Sequence, residues 1–227
     1  NSFFSLFFWF CCLMKLYVVV LSLGNGIRAG AIHVSHDRAQ MAEMIINCEL
    51  AELGRDMGCQ TMVEGPGHVP LDEIAGNIML EKRMSGGSPY YVLGPLPADS
   101  GAGYDHITAA TGAAQSAWHG ADLICYITPA EHLALPNEDD VREGVRATRL
   151  AARIGDIAKY PERRDLEKQV ALARRDSDFA EYFRLSMFPE KMQEVRDSRK
   201  PENQATCTMC GDFCAMERGF SLFKDDI

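Results

Sequence analysis

The sequence predicts an α/β chain built as half of a (βα)₈ TIM-type barrel, followed by a helical arm and a cysteine-bearing tail. Three observations carry that expectation. Short β-branched or apolar runs alternate four times with longer helical stretches, at spacings of about thirty to forty residues. After Lys159 the chain turns charged and helical, and near its end three cysteines crowd into "CTMCGDFCAM". Strands that alternate with helices imply parallel pairing with right-handed crossovers, because each helix must carry the chain back before the next strand begins. An open doubly wound sheet is the alternative architecture. No G-x-G-x-x-G follows the first strand, so a dinucleotide site there finds no support.

Residues 1–15 open an apolar stretch that runs from Phe3 to Leu23 with Lys15 as its only charge. It has neither the basic start nor the small-residue cleavage site of a signal peptide. It is long enough for a membrane span. The reading adopted is a buried helix leading into a core strand of a barrel whose earlier strands are absent, so membrane attachment is not expected.

Residues 16–159 hold the four βα units. The first is "YVVVLSL", the loop "GNGIRAGAIHVSH" and a helix over Arg38 to Met57; the second is "CQTMV", "EGPGHVP" and a helix over Leu71 to Met84. The third is "YYVLGPL", a glycine-rich loop through "GAGYDHI", and a small-residue helix ending near His119. The fourth is "ADLICYIT", "PAEHLALPNED" and a helix over Asp140 to Ile157, whose acidic start suits the positive end of a helix dipole. Residues 160–200 read as a helical arm broken at Pro161 and Pro189, and residues 201–227 as a tail that "PENQAT" links to it.

With 227 residues, 47% of them hydrophobic, the chain can bury a substantial core. A net charge of −9 excludes a general affinity for nucleic acid, which needs a basic face. Small molecules or other protein chains are the expected partners. The eight cysteines are unevenly spread, unlike a secreted disulfide framework, and fit a reducing cytosol with a metal or cluster at the C-terminus.

In a βα barrel the working groups lie on the loops that follow the strands. Here those loops carry Asn25 and Arg28, Glu64 and His68, Tyr91 and Tyr104 to His106, and Glu131 and His132. In "EGPGHVP" the Gly-Pro-Gly turn lets backbone approach a ligand, and His68 on so rigid a loop could ligate a metal or move a proton; a structural histidine is the plainer alternative. A second imidazole at an equivalent loop, His132, makes a shared divalent metal the sharper reading. Arg28 is either an anion clamp or a surface arginine. Asp105 and His106 form another candidate pair, or a cap. Cys207, Cys210 and Cys214 are spaced Cys-x₂-Cys-x₃-Cys, which can bring soft thiolates onto one centre. No fourth Cys or His follows. A four-iron cluster held by three cysteines keeps one iron open, whereas a structural zinc would have to borrow a distant histidine.

Taken in order, "LSLGNGIRAG", "EGPGHVP", "LGPL", "GYDHIT", "CYITPAEHLALPNEDDVREG" and "CTMCGDFCAM" closely resemble the phosphomethylpyrimidine synthase family, the radical S-adenosylmethionine enzymes of thiamin biosynthesis. The likeness covers about residues 16–216 and makes the barrel portion a second half. It implies a carbon–carbon lyase that converts 5-aminoimidazole ribonucleotide to hydroxymethylpyrimidine phosphate. It implies a [4Fe–4S] cluster on Cys207, Cys210 and Cys214, S-adenosylmethionine on the open iron, and a divalent metal, zinc or iron, on His68 and His132. Substrate contacts fall on Asn25, Gly26, Ile27, Arg28, Glu64 and Tyr91; no catalytic acid or base is assigned. The family is a cytoplasmic homodimer whose tail covers the partner's barrel.

Three departures stand out. Asn25 replaces the usual Asp, three residues rather than four separate Cys210 from Cys214, and the strands before Tyr17 are missing. The shorter spacing looks like the anaerobic or archaeal-type branch, whose sister enzyme is 5-hydroxybenzimidazole synthase of cobalamin lower-ligand synthesis. The missing strands predict a chain that is poorly stable and inactive alone, and the acid-free "FFSLFFWFCCLM" suggests an aberrant start. A non-catalytic cluster-binding module and a membrane-attached protein are the competing readings.

Overall fold

The computed structural model describes residues 2–199 and, beyond them, 207, 209, 210 and 213–222. The chain divides into two compact units, 1–159 and 160–227. The first holds a four-stranded sheet of β1 (Leu21–Leu23), β2 (Thr61–Glu64), β3 (Tyr90–Leu93) and β4 (Leu123–Cys125), ordered β1-β2-β3-β4 and parallel throughout. Its helices are α1 (Ser2–Tyr17), α2 (Arg38–Asp56), α3 (Ile74–Met84), α4 (Asp105–His119) and α5 (Glu138–Lys159). Sequential parallel order with one helix per crossover is consistent with a partial βα barrel.

The register sorts the side chains. Leu23, Val63 and Tyr90 lie abreast, and with Val92 and Ile124 they face α-helical residues such as Ala51, Ile74 and Ile78 in one apolar core. Because strand side chains alternate, Ser22, Glu64, Tyr91 and Cys125 belong to the opposite face.

Helix ends follow local chemistry. The Asp37 carboxylate accepts the Gln40 amide at 2.8 Å and starts α2. Asn137 accepts from the amides of Asp139 and Asp140 at 2.8 and 3.0 Å, so α5 begins at Glu138, earlier than the sequence reading at Asp140. Helix α3 begins at Ile74 rather than Leu71, after a turn.

Two N-terminal expectations need correction. The first strand is only Leu21–Leu23, because α1 runs to Tyr17 and the chain then turns through a left-handed Val18 (φ 54°), which consumes the valines. Helix α1 is not buried all round. It sets a stripe of Phe7, Cys11 and Met14 against the core, while Phe4, Phe8 and Trp9 are exposed. Among the described residues no helix is long and apolar enough to cross a membrane.

The second unit contains α6 (Arg164–Arg175), α7 (Phe179–Leu185), α8 (Pro189–Asp197) and α9 (Ala215–Leu222). Asp178 caps α7 by accepting the Glu181 amide at 3.0 Å.

One acid lies deep in the core. Glu81 of α3 is fully buried, and neither carboxylate oxygen has a hydrogen-bond partner. Burial pushes its pKa from 4.5 to about 7, against the pull of Ser85 and Lys82. Burial, and then Glu81 itself, raise the Cys48 thiol to about 12. A raised acid makes the folded state the better proton binder, so the stability it confers is complete below pH 4.5 and is lost as pH rises through about 7. Wild-type unfolding free energy should therefore fall by about 3 kcal/mol between pH 4.5 and 8 through this group. Glu81→Gln should flatten that slope in denaturant titrations; an unchanged slope would show that another group controls it.

Candidate active site

Loops that follow the strands continue the ladder beyond the sheet. The Leu93 amide donates to the Pro66 carbonyl at 3.2 Å, Leu96 to Gly67 at 2.8 Å, and Val69 to Leu96 at 3.2 Å. On the other side the His68 amide donates to the Ala29 carbonyl at 3.0 Å. This close approach requires a glycine: a Cβ on Gly67 would lie 3.2 Å from that same Ala29 oxygen. The "EGPGHVP" segment is therefore clamped between the loops that follow β1 and β3, with His68 buried at its end.

His68 meets His132 there, with the two Nε2 atoms 3.2 Å apart. Each ring turns its other nitrogen to a carboxylate: His68 Nδ1 to Asp99 at 2.7 Å, and His132 Nδ1 to the buried Asp105 at 3.0 Å. Burial works against the charge on Asp99, but the Ile32 amide and His68 outweigh it and hold the carboxyl below its ordinary value. With each Nδ1 donating to its carboxylate, the two Nε2 atoms face one another. Such a pair needs an electrophile between its members, either a shared proton or a cation. Two nitrogens ligating one tetrahedral zinc at about 2.0–2.1 Å would stand about 3.3 Å apart, so the separation already suits a metal. Carboxylates behind the imidazoles are the usual support of such ligands. His132 is also held in the left-handed region (φ 63°), a cost that persists at sites where geometry is over-determined.

The candidate substrate residues lie on β2, β3 and the loop after β1. Glu64 and Tyr91 are paired neighbours across β2 and β3, and Ser22 donates to Glu64 at 2.6 Å. A hydrogen bond with the Cys125 thiol, then burial, push the Tyr91 phenol up to about 12, so it stays a neutral donor at physiological pH. Asn25 is buried; its amide nitrogen donates to the Glu64 carbonyl at 3.4 Å, and its Oδ1 has no hydrogen-bond partner. Arg28 donates to the Asn25 carbonyl at 3.1 Å, which leaves its exposed guanidinium beside that oxygen. The amides of Gly26 and Ile27 bind the Glu43 carboxylate of α2, at 2.7 and 2.9 Å, so they brace the loop and do not face outward.

Within the second unit Cys207, Cys210 and Cys214 line one cavity of about 320 Å³, together with Arg174, Phe179 and Tyr182. All eight cysteines are free thiols. The three share a wall rather than a point: among the described residues no three His, Cys, Asp or Glu side chains converge on one metal position.

Sequence reading picked out both histidines and missed what holds them. Asp99 lies in no motif, and Glu43 sits inside a helix where nothing marks it. Asp105 was paired with His106, yet it serves His132, while His106 Nδ1 is buried with no hydrogen-bond partner. Ser22 and Cys125 were visible only as strand residues.

The radical SAM ThiC family model matches residues 1–219. A 5-hydroxybenzimidazole synthase of Desulforapulum autotrophicum is 73% identical over 96% of this chain and 49% of its own length. One from Geobacter metallireducens is 65% identical over 95% of the chain and 50% of its own length. Phosphomethylpyrimidine synthase 1 of Methanosarcina barkeri is 51% identical over 96% and 51% respectively. The chain spans about half the length of the curated relatives it matches.

Zinc titration against a chromophoric chelator tests the histidine pair. His68→Ala should abolish tight binding, and Asp99→Asn should weaken it by roughly 10–100-fold through loss of ring orientation. Equal affinity in His68→Ala, His132→Ala and wild type would place the metal elsewhere.

Proposed function

We propose that this chain, which belongs to the radical SAM ThiC family, is the substrate-handling and cluster-bearing part of an enzyme that turns 5-aminoimidazole ribonucleotide into 5-hydroxybenzimidazole. The observation that carries this choice of product is the identity gap: 73% to a synthase of that name against 51% to a phosphomethylpyrimidine synthase, at the same 96% coverage. This reverses the order that the sequence motifs suggested. Asn25, neutral where the thiamin enzymes usually carry Asp, marks the same distance. The thiamin product remains the second reading, supported by the 51% relatives and by the shared loop motifs.

In this reading Arg28 takes the nucleotide phosphate as a bidentate donor, and the orphan Oδ1 of Asn25 accepts a hydroxyl or amine of the ligand. Tyr91 donates a hydrogen bond from a phenol that stays protonated, next to Glu64, which Ser22 holds in place. His68 and His132 hold a divalent metal, zinc or iron, and Asp99 and Asp105 keep their lone pairs aimed at it. Cys207, Cys210 and Cys214 hold a [4Fe–4S] cluster, a fit supported by three free thiols on one cavity wall. When bound, that cluster supplies one-electron cleavage of S-adenosylmethionine. The protein's part is to bind, orient and exclude water. A homodimer with the tail lent to the partner's barrel, in a reducing cytoplasm, completes the proposal.

Anaerobic reconstitution of the full-length enzyme with 5-aminoimidazole ribonucleotide and S-adenosylmethionine, followed by mass spectrometry, should yield 5-hydroxybenzimidazole. Hydroxymethylpyrimidine phosphate would overturn the choice of product. Cys207→Ala should remove both the cluster absorbance and the product; retained turnover would refute the cluster ligands. This chain by itself should turn over nothing.

A further inference from the structure

A hydrogen-bonded chain outside the site ends at Tyr90, whose ring lies against Gly65. The fully buried Tyr90 donates its hydroxyl to Asn77 Oδ1 of α3 at 2.8 Å. The Asn77 amide nitrogen lies 2.9 Å from His36 Nε2, and His36 Nδ1 lies 2.7 Å from the Glu73 carboxylate. An amide nitrogen can only donate, so Nε2 accepts; Nδ1 then carries the proton and gives it to Glu73. All three bonds run one way, from a buried phenol to a carboxylate at the surface.

Both ends of this chain bear on structure that the site uses. His36 belongs to the segment between β1 and α2 and is held in the left-handed region (φ 55°), with its amide bound by the Gln40 side chain at 2.6 Å. Such strain in a non-glycine residue persists where the surroundings over-determine the position. At the other end the Tyr90 ring lies against Gly65. A Cβ on Gly65 would fall 2.7 Å from the ring Cζ and 2.8 Å from the hydroxyl oxygen, so backbone rests on the very end of the ring that Asn77 holds. Gly65 follows Glu64, precedes His68 by three residues, and donates its amide to the Tyr91 carbonyl at 2.6 Å.

We propose that Tyr90, Asn77 and His36, anchored on Glu73, are positioning residues that set the height of the Glu64–His68 loop and couple it to the loop after β1. They touch no ligand themselves. The consequence for turnover rests on the function proposed above, whereas the mechanical claim does not. Burial keeps the Tyr90 hydroxyl protonated, its pKa being well above the ordinary value, so the first donor of the relay is permanent.

The test is a double-mutant cycle between residues that do not touch, Tyr90→Phe and His36→Ala, in the full-length enzyme. Two readouts are needed: hydrogen exchange at the Gly65, His68 and Val69 amides, and kcat/KM for 5-aminoimidazole ribonucleotide. Each single variant should speed exchange at these amides and lower kcat/KM roughly tenfold. The double variant should be no worse than either single one, because both cut the same path. Additive losses, or unchanged exchange in Tyr90→Phe, would overturn the relay. Should Tyr90→Phe fail to fold, His36→Ala alone decides through the exchange of the distant Gly65 amide. A wild type with no turnover on the nucleotide would remove the functional reading, while exchange would still decide the mechanical one.

Discussion

Two imidazole Nε2 atoms face one another across 3.2 Å at the open end of this sheet. Nitrogens do not approach so closely without an attractive centre between them, so the arrangement is stable only if the surrounding fold enforces it and a proton or cation satisfies it. Enforcement comes from two carboxylates that are not neighbours in sequence. Asp99 lies on the loop that follows β3 and fixes the ring of His68 from the β2 loop, while Asp105 opens α4 and fixes the ring of His132 from the β4 loop. The pair thus closes only when three consecutive βα units are correctly docked, which makes the site a reporter of the fold.

That docking is done by backbone. Pro66, Gly67 and Val69 exchange hydrogen bonds with Leu93 and Leu96, and His68 reaches Ala29 on the other side, so the loops form a short extension of the parallel ladder beyond the strand ends. Main-chain ladders tolerate little lateral error, and the absence of side chains at Gly65 and Gly67 lets a ring and a carbonyl come within contact. The glycines of "EGPGHVP" therefore have a mechanical reason to be there. They let the Tyr90 ring lie against one glycine and the Ala29 carbonyl against the other.

Much of this was legible in the sequence. Alternating strand and helix gave four parallel units, and the rule that loops after strands carry the chemistry singled out Glu64, His68, Tyr91 and His132. What escaped was support. Asp99 and Glu43 act through distance in space, and neither periodicity nor a motif records such pairings. The exposed flank of α1 escaped for a different reason: composition reports that a helix is apolar, but not how much of it finds a partner. The three-residue β1 escaped because "YVVVLSL" has strand propensity throughout, while the end of α1 and a left-handed turn claim its first half.

On the face of the sheet opposite the apolar core, side chains bond to one another in pairs. Ser22, Glu64, Tyr91 and Cys125 lie on one face, with Ser22 hydrogen-bonded to Glu64 and the Tyr91 phenol, pushed up to about 12, hydrogen-bonded to the Cys125 thiol. Asn25 beside Glu64 is neutral, so Glu64 meets no second negative charge there; an aspartate in its place would add a like charge next to the Glu64 carbonyl that now receives the Asn25 amide. Arg28 donates to the Asn25 carbonyl, and the buried Oδ1 of Asn25 has no hydrogen-bond partner. An unpaired buried acceptor costs about 1–3 kcal/mol, and a ligand donor placed against it recovers that cost on binding. In the function proposed above, selectivity at this position follows what the ligand can donate rather than its charge, a different discrimination from the one an aspartate would impose.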